Sequence, residues 1–314
     1  MLAKKTNIPI LLNPFFLLFL LGTILSCSGQ QEGELQTKTN SPPVISSVTV
    51  SPNKPNRGSD LSLFIQCQNT RRGPVTFRYQ WIKNDEEIPG ENENTLKSGN
   101  FRKGDLIRAK ITPSDGMTEG RPFLSEPVKI LNSAPVIQEV WIEPKVARVT
   151  DSLKAIVKSS DPDGDSISCV YKWEKNGVVL SGENTDTLEP NRFKKRDSIT
   201  VTVTPSDREA SGRPKKSEAV IVVNSPPMIT SSPPTTMTDG KIYTYHVMAN
   251  DPDNDPIIFA LKTAPKGMEI DKETGLIRWE IQKQDQGPQL IEIEASDPEG
   301  AKCLQRFTLS VELK

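Results

Sequence analysis

The stretch YKWEKNGVVLSGENTDTL at residues 171–188 decides the fold, because the chain carries it twice. Its counterpart is YQWIKNDEEIPGENENTL at residues 79–96, which lies 92 residues earlier and aligns without a gap. The same spacing brings ITPSDGMTEGRP at 111 onto VTPSDREASGRP at 203. Since about 100 residues is a typical length for one domain, the repeat predicts consecutive domains of one fold.

The starts of the repeated units set the domain boundaries that we predict. The first two units open with SPPV at 41 and SAPV at 133, and SPPM at 225 opens a third unit with a divergent middle. The predicted domains are 41–132, 133–224 and 225–314.

Short segments in which apolar and polar residues alternate are typical of strands with one buried face. In the second unit Cys169, Tyr171 and Trp173 share one face, and Asn176-Gly177 behind them is a two-residue hairpin signal. No long segment shows the 3.6-residue period of a helix. We therefore predict an all-β fold of three tandem β-sandwiches, with Trp81 and Trp173 packed between the sheets.

The first two units resemble bacterial immunoglobulin-like repeats, on a pattern close to Y-x-W-x-K-N-G followed by a TPSDG-like segment. The third resembles the immunoglobulin or cadherin-like domains, of dystroglycan type, of bacterial surface proteins. It does so on DGKIYTYHVMANDPDND, APKGMEIDKETGLIRWE and IEIEASDPEGA. The resemblance implies immunoglobulin-like and cadherin-like sandwiches over all of 41–314. Such domains serve as spacers, adhesins and sugar-binding accessories, so the resemblance selects no single function.

The chain begins with an export signal rather than a folded element. Lys4 and Lys5 precede an apolar run at 8–25, and ILSC then ends at Cys27. ILSC resembles the lipobox of bacterial lipoproteins, which implies a signal peptide at 1–26, cleavage before Cys27 and acylation of that residue. An uncleaved membrane anchor is the alternative, because the run is nearly long enough to span a bilayer.

Residues 27–40 are predicted to be a flexible tether, since they are polar, contain Gly and Gln and lack an apolar period. A lipidated Cys27 would attach the protein to a membrane outside the cytoplasm. We place the protein in a bacterial cell envelope, periplasmic or exposed at the surface. Ser28 after the acylated residue favours the outer membrane over the inner one.

Two stretches with three alternating carboxylates raise the question of a metal ion. The first acidic loop, SSDPDGDSI at 159–167, carries Asp161, Asp163 and Asp165. The second acidic loop, ANDPDNDPI at 249–257, repeats the arrangement. In an immunoglobulin-type topology each loop joins strands B and C, at the same end of the sandwich as the loop after strand F.

That topology predicts which residues join each acidic loop. Asp207 and Asp297 follow strand F of their units, and the chain enters the same ends through Asn132 and Asn224. Calcium takes six to eight oxygen ligands, and the resemblance to cadherins implies calcium at domain junctions. The members of the two candidate calcium sites are Asp161, Asp163, Asp165, Asp207 and Asn132, and Asp251, Asp253, Asp255, Asp297 and Asn224.

A plain tight turn is the competing interpretation, because Asp, Asn and Gly favour turns without any metal. The first unit keeps Asp115 but has NTRRGP in place of an acidic loop, with Arg71 aligned to Asp163. The fold therefore tolerates the loss of the loop. Neither loop is an EF-hand, since the required Gly and Glu are missing. The sequence leaves both interpretations open, and no cofactor is required.

Charge and motif content exclude several functions. With 39 basic and 40 acidic residues the net charge is −1, so we expect no nucleic-acid-binding surface. His246 is the single histidine, and neither a G-x-S-x-G elbow nor a phosphate-binding glycine loop occurs. We predict that the protein is not an enzyme.

Several conspicuous side chains have structural interpretations. We expect the basic run at 194–196 to be solvated, and Trp141, Tyr243 and Tyr245 to lie in cores or between domains. One cysteine per unit shares the parity of the apolar residues and is expected to be a small buried hydrophobe rather than a disulfide partner. These cysteines are Cys67, Cys169 and Cys303.

The predicted function is that of a non-catalytic, lipid-anchored envelope protein. Three consecutive sandwiches would form an elongated spacer, adhesion arm or complex-assembly arm, stiffened at its junctions if calcium binds. Its partner would be another envelope or surface protein, or a polysaccharide. A carbohydrate- or polymer-binding accessory protein is the alternative, and it requires an exposed row of aromatic side chains.

Overall fold

The structure is a computed structural model that describes residues 41–69, 73–99, 101–237 and 241–312. Two compact units divide the chain, and the second runs from Pro42 to Lys314. The described residues form 25 strands and one short 3-10 helix, and no helix among them is long and apolar enough to cross a membrane. The predicted signal peptide, Cys27, the tether and Arg71 lie outside the described residues.

The first sandwich consists of a three-stranded sheet, in the order β1-β2-β5, and a five-stranded sheet. The latter has the order β4-β3-β6-β7, with β8 also paired to β6. The strands are β1 (Val44–Ser51), β2 (Leu61–Gln68), β3 (Thr76–Lys83), β4 (Glu86–Glu87), β5 (Thr95–Leu96), β6 (Leu106–Ser114), β7 (Phe123–Leu124) and β8 (Val128–Lys129).

The second sandwich repeats this topology strand for strand. Its sheets have the orders β9-β10-β13 and β12-β11-β14-β15, with β16 paired to β14. The strands are β9 (Val136–Glu143), β10 (Leu153–Ser160), β11 (Ser168–Lys175), β12 (Val178–Val179), β13 (Thr187–Leu188), β14 (Ser198–Ser206), β15 (Lys215–Lys216) and β16 (Val220–Ile221).

The third sandwich is built differently around its entrance, where β17 pairs only with β20 and β18 runs parallel to β25. Its larger sheets have the orders β18-β25-β24-β21 and β19-β23-β22. The elements are β17 (Met228–Ile229), β18 (Thr236–Met237), β19 (Ile242–His246), β20 (Ala249–Asn250), β21 (Ile258–Thr263), β22 (Glu269–Ile270), β23 (Leu276–Glu280), the 3-10 helix (Lys283–Asp285), β24 (Gly287–Ser296) and β25 (Lys302–Val311).

A buried tryptophan lies in each of the three hydrophobic cores. Trp81 and Trp173 are 0% exposed and Trp279 is 1% exposed. The indole Nε1 of Trp81 donates to the Glu93 carbonyl and that of Trp173 to the Thr185 carbonyl, both at 3.0 Å. The prediction that Trp81 and Trp173 pack between the sheets is confirmed, as is the all-β fold.

The hairpin predicted at Asn176-Gly177 is also confirmed. Both residues have positive φ angles, 53° and 79°, and they connect β11 to β12. Two consecutive positive φ angles match the twist of the strands on either side, which explains the Asn-Gly pair. Asn84 and Asp85 make the same turn in the first sandwich, with φ angles of 52° and 69°.

A glycine allows the loop after β14 to lie against the segment with which the second sandwich begins. A Cβ atom on Gly212 would lie 1.9 Å from the carbonyl oxygen of Pro135. Gly120 meets Pro43 in the same way in the first sandwich, at 2.0 Å. The shared GRP segment is therefore required by a close approach between backbones, and this approach also positions the loop that carries Asp207.

The cysteines are half-buried and free, not buried as predicted. Each stands close to the end of its strand: Cys67 in β2, Cys169 in β11 and Cys303 in β25. Their side chains point toward the cores, but strand ends lie at the rim of a sandwich, so parity sets the face and not the depth. Partial burial raises the pKa of all three thiols.

The aromatic expectations are met only in part. Tyr243 and Tyr245 are core residues, 1% and 5% exposed. Trp141 is half-buried and lies outside the core cluster of its sandwich, with its Nε1 donating to the Glu143 carboxylate at 2.9 Å. Its position on β9 faces away from the core, because its strand neighbour Ile142 is buried. His246 is exposed, and its Nε2 lies 2.8 Å from the Thr274 carbonyl oxygen.

Candidate cation sites at the sandwich junctions

The first acidic loop connects β10 to β11 and is folded by its own first carboxylate. Asp161 Oδ1 accepts hydrogen bonds from the backbone N–H groups of Asp163 at 2.8 Å and Asp165 at 3.1 Å. Gly164 between them has a φ of 83°, which an ordinary side chain would oppose. The turn brings the three carboxylates together instead of spreading them along a strand.

One carboxylate oxygen from each of the three Asp side chains lies within 4.8 Å of the other two. The second acidic loop, between β20 and β21, has the same geometry, with Asp251 Oδ1 accepting from residues 253 and 255 at 2.8 and 3.3 Å. Its three carboxylates also converge within 4.8 Å. Each loop is thus a tight turn in which three carboxylates converge, and this geometry is compatible with both interpretations.

Several oxygens in the first acidic loop are buried without a hydrogen-bond partner among the described residues. They are Asp161 Oδ2 and Asp163 Oδ1, joined by Ser133 Oγ. Ser133 is 5% exposed, and its backbone N–H donates to Asp163 Oδ2 at 2.6 Å, so the backbone of this residue lies against the loop. A buried polar atom without a protein partner costs roughly 1–3 kcal/mol unless a water molecule or an ion satisfies it.

The second acidic loop leaves the equivalent atoms unpaired, namely Asp251 Oδ2, Asp253 Oδ1 and Ser225 Oγ. Ser225 is 1% exposed, and its N–H donates to Asp253 Oδ2 at 2.6 Å. The two loops, which share Asp-Pro-Asp-x-Asp, therefore present the same unpaired oxygens. Three carboxylate oxygens that converge within 4.8 Å are suited to a hard cation.

A lysine from the first sandwich, Lys103, contacts the first acidic loop and two residues next to it. Lys103 Nζ donates to Asp165, to Asn132 Oδ1 at 2.9 Å and to Glu209 Oε1 at 3.0 Å. The hydrogen bond to the Asp165 carboxylate, followed by the one to Glu209, raises the pKa of Lys103 above its usual value. The lysine therefore stays charged at neutral pH.

Asn132 connects this lysine to the loop after β14. Its Nδ2 donates to Asp207 Oδ2 at 2.7 Å, and Asp207 Oδ1 accepts the N–H groups of Glu209 and Ala210 at 2.9 and 2.7 Å. The hydrogen bond from Asn132, and then the one from Ala210, holds the pKa of Asp207 below its usual value. Both oxygens of Asp207 are thus already used within the protein.

The second junction repeats the arrangement. Lys195 Nζ donates to Asp255, to Asn224 Oδ1 at 2.9 Å and to Glu299 Oε1 at 2.6 Å. Asn224 Nδ2 donates to Asp297 Oδ2 at 2.6 Å. Burial opposes ionisation of Asp297, but the hydrogen bonds from Asn224 and the backbone outweigh it and lower its pKa.

All the residues predicted for each site lie at its junction, although in two groups. The three carboxylates of each acidic loop converge on each other. Beside the junction lysine, Asn132 forms a hydrogen-bonded pair with Asp207, and Asn224 forms one with Asp297. Asp115 in the first sandwich accepts the same kind of backbone N–H groups, from Met117 and Thr118. The Asp at this position therefore shapes its loop with or without an acidic loop nearby.

Sequence reasoning missed the lysines, the two Glu residues and the two Ser residues. The expectation that the run at 194–196 is solvated is wrong for Lys195, whose side chain is only 15% exposed because the third sandwich lies against it. A signal was present, since Phe-x-Lys-x-Asp occurs at 101–105 and again at 193–197, with the repeat spacing of 92.

Comparison with known families and structures gives one domain match and several likenesses. Residues 226–312 match the family model described as "Putative Ig domain". The chain is similar to Sidekick-1 immunoglobulin domains 1–5, with 15% identity over 88% of this chain and 60% of that one, at a TM-score of 0.35. It is also similar to the insect immune protein hemolin, with 14% identity over 85% and 76% and a TM-score of 0.37. No curated protein matches the chain.

A third likeness is to Drosophila OTK extracellular domains 3–5, with 12% identity over 82% of this chain and 93% of that one, at a TM-score of 0.29. The chain spans 60% of the Sidekick-1 structure. We take the class of protein from the sheets and the family match: a tandem array of immunoglobulin-like β-sandwiches. The fold by itself selects no function, because one fold hosts many unrelated functions.

Proposed function

We propose that this protein is a non-catalytic spacer or adhesion arm whose two sandwich junctions each bind one divalent cation. The observation that carries the proposal is the pair of equivalent sets of buried, unpaired oxygens: Asp161 Oδ2, Asp163 Oδ1 and Ser133 Oγ, and their counterparts in the second acidic loop. Each of these atoms carries a cost that a bound cation would offset.

Calcium is the cation that the ligand chemistry favours. Every candidate ligand is a carboxylate or hydroxyl oxygen, and no sulfur or imidazole ligand is present in either group. Calcium accepts irregular sets of such oxygens with water completing the shell, whereas magnesium demands a near-ideal octahedron. The excess of negative charge in each loop also favours a divalent ion over a monovalent one.

Calcium is therefore expected to stabilise the second and third sandwiches against heat. At a hundred times its dissociation constant, a ligand of the folded state alone adds about 2.7 kcal/mol to the free energy of unfolding. Thermal unfolding of the full chain in mild detergent, with calcium or with chelator, measures this effect. The combined variant Asp163→Asn and Asp253→Asn should lose it.

Glu126→Gln provides the control, since it neutralises a carboxylate at an exposed position outside both loops. It should keep the full response to calcium. If calcium and chelator give the same unfolding curve for the unaltered chain, both loops are plain turns and the cation part of the proposal fails.

We also propose that the array is tethered to a membrane through an acylated Cys27, on the strength of the ILSC segment. Cys27→Ala should then abolish incorporation of a labelled fatty acid. Cys67→Ala should leave that incorporation unchanged, because its thiol lies within the first sandwich. An unaltered chain that stays in the membrane fraction without incorporating the label would favour the uncleaved anchor instead.

A further inference from the structure

We propose that Lys103 and Lys195, rather than the cations, hold neighbouring sandwiches together, and that each lysine limits its acidic loop to a single metal ion. The part about the metal ion rests on the proposed function. The part about sandwich coupling does not, because the lysine contacts exist without an ion.

Each junction contains a set of unpaired oxygens and a lysine with its hydrogen-bond partners, and these two groups differ in which sandwiches they connect. The unpaired oxygens at the first junction belong to Asp161, Asp163 and Ser133, which all lie within or at the entrance of the second sandwich. A cation there is held by one sandwich. The ammonium of Lys103 starts from the first sandwich and reaches Asp165 and Glu209 in the second.

The lysines project from turns that are anchored in the cores. Phe101 is 1% exposed, and the backbone N–H of Arg102 donates to Asp105 Oδ2 at 2.8 Å, closing the turn around Lys103. In the second sandwich Phe193 is 3% exposed and Lys194 donates to Asp197 Oδ2 at 2.7 Å. Because both ends of each turn are fixed, the lysine gives up less freedom in bridging two sandwiches than a lysine on a mobile loop.

The lysine also determines how many ions the site can take. Its ammonium occupies the position beside Asp165, or beside Asp255 at the second junction. The remaining unpaired oxygens fit one ion, and a second divalent ion would be repelled by the ammonium at close range. Removing the lysine should therefore tighten cation binding while loosening the junction, which are opposite effects.

Each junction has a further cationic contact among the described residues. The second junction offers the better test of the role of the lysine. Arg57 donates to the Pro162 carbonyl at the first, and Arg196 donates to Glu299 Oε1 at 3.1 Å at the second. Lys195 has an exposed neighbour of the same charge, Lys194, whose backbone closes the turn and whose side chain forms no ion pair with a described residue. Lys195→Met and Lys194→Met thus form a matched pair.

The experiment uses the full chain in mild detergent, with one spin label in the second sandwich at 178 and one in the third at 269. The width of the distance distribution between the labels, in chelator, reports how firmly the two sandwiches are coupled. We expect Lys195→Met to widen it about twofold, Lys194→Met to leave it unchanged and Lys195→Arg to restore most of the coupling. Calorimetric titration with calcium should give about tenfold tighter binding, or an extra ion, in Lys195→Met only.

The outcomes separate this inference from the proposed function. If the unaltered chain binds no calcium but Lys195→Met widens the distribution, the cation sites fail and the lysine coupling stands. If calcium binds but Lys195→Met matches Lys194→Met in both measurements, the lysine inference is overturned and the cation sites remain. A wide distribution in the unaltered chain would also overturn the coupling.

Discussion

Replacing Trp173 with Ala is expected to lower the free energy of unfolding of the second sandwich by about 3–5 kcal/mol, the usual loss for a large aromatic side chain in a core. Trp173 is 0% exposed and is surrounded by residues from both sheets, including Leu153 and Val201. The substitution removes apolar contacts, leaves a cavity and frees the Thr185 carbonyl from its indole donor.

Hydrogen exchange of core amides on β11 and β14 measures this loss within one sandwich, which avoids treating the array as a single cooperative unit. Trp141→Ala is the matched control, because it removes the same side chain from the same sandwich at a half-buried position outside the core. We expect it to cost less than about 1 kcal/mol. Equal losses for the two variants would contradict the assignment of Trp173 as the central core residue.

Replacing Gly120 with Ala is expected to cost about 3 kcal/mol, the upper end of the range for an inserted methyl group. The new Cβ would meet the carbonyl oxygen of Pro43 at 2.0 Å, and backbone cannot rotate away as a side chain can. The loop after β6 and the entrance of the sandwich would have to separate. Gly212→Ala should have the same effect in the second sandwich, against Pro135 at 1.9 Å.

Gly73→Ala is the control in the first sandwich, since a Cβ atom there has nothing within 4 Å and no positive φ angle opposes it. It should unfold with the unaltered chain in urea, while Gly120→Ala should unfold at a clearly lower denaturant concentration. A Gly120→Ala protein that retained its midpoint would show that the entering strand can move away at little cost.

The strands and their cores were predictable because they follow local rules. Alternation of apolar residues determines which face of β11 is buried, and a repeat of 92 residues supplies an independent copy of the same pattern. The hairpin at Asn176-Gly177 depends on only two backbone conformations. The depth to which a side chain is buried was not predictable in the same way. The alternation along β11 placed Cys169 on the core face, but it did not show that the residue lies at the rim of the sandwich.

The candidate sites divide between sequence and tertiary structure. The sequence alone determined the convergence of Asp161, Asp163 and Asp165, because the hydrogen bonds that fold the loop span only two to four residues. The sequence also determined that Asp207 and Asn132 lie at the same end of the second sandwich as the first acidic loop. Only the tertiary structure decided that Lys103 reaches Asp165 across 62 residues and Glu209 across 106, and that Ser133 is buried beside Asp163 without a partner for its hydroxyl. Those contacts depend on how one sandwich is placed against the next. The repeated Phe-x-Lys-x-Asp segment marks the turn that carries each lysine, but not the residues that the lysine reaches.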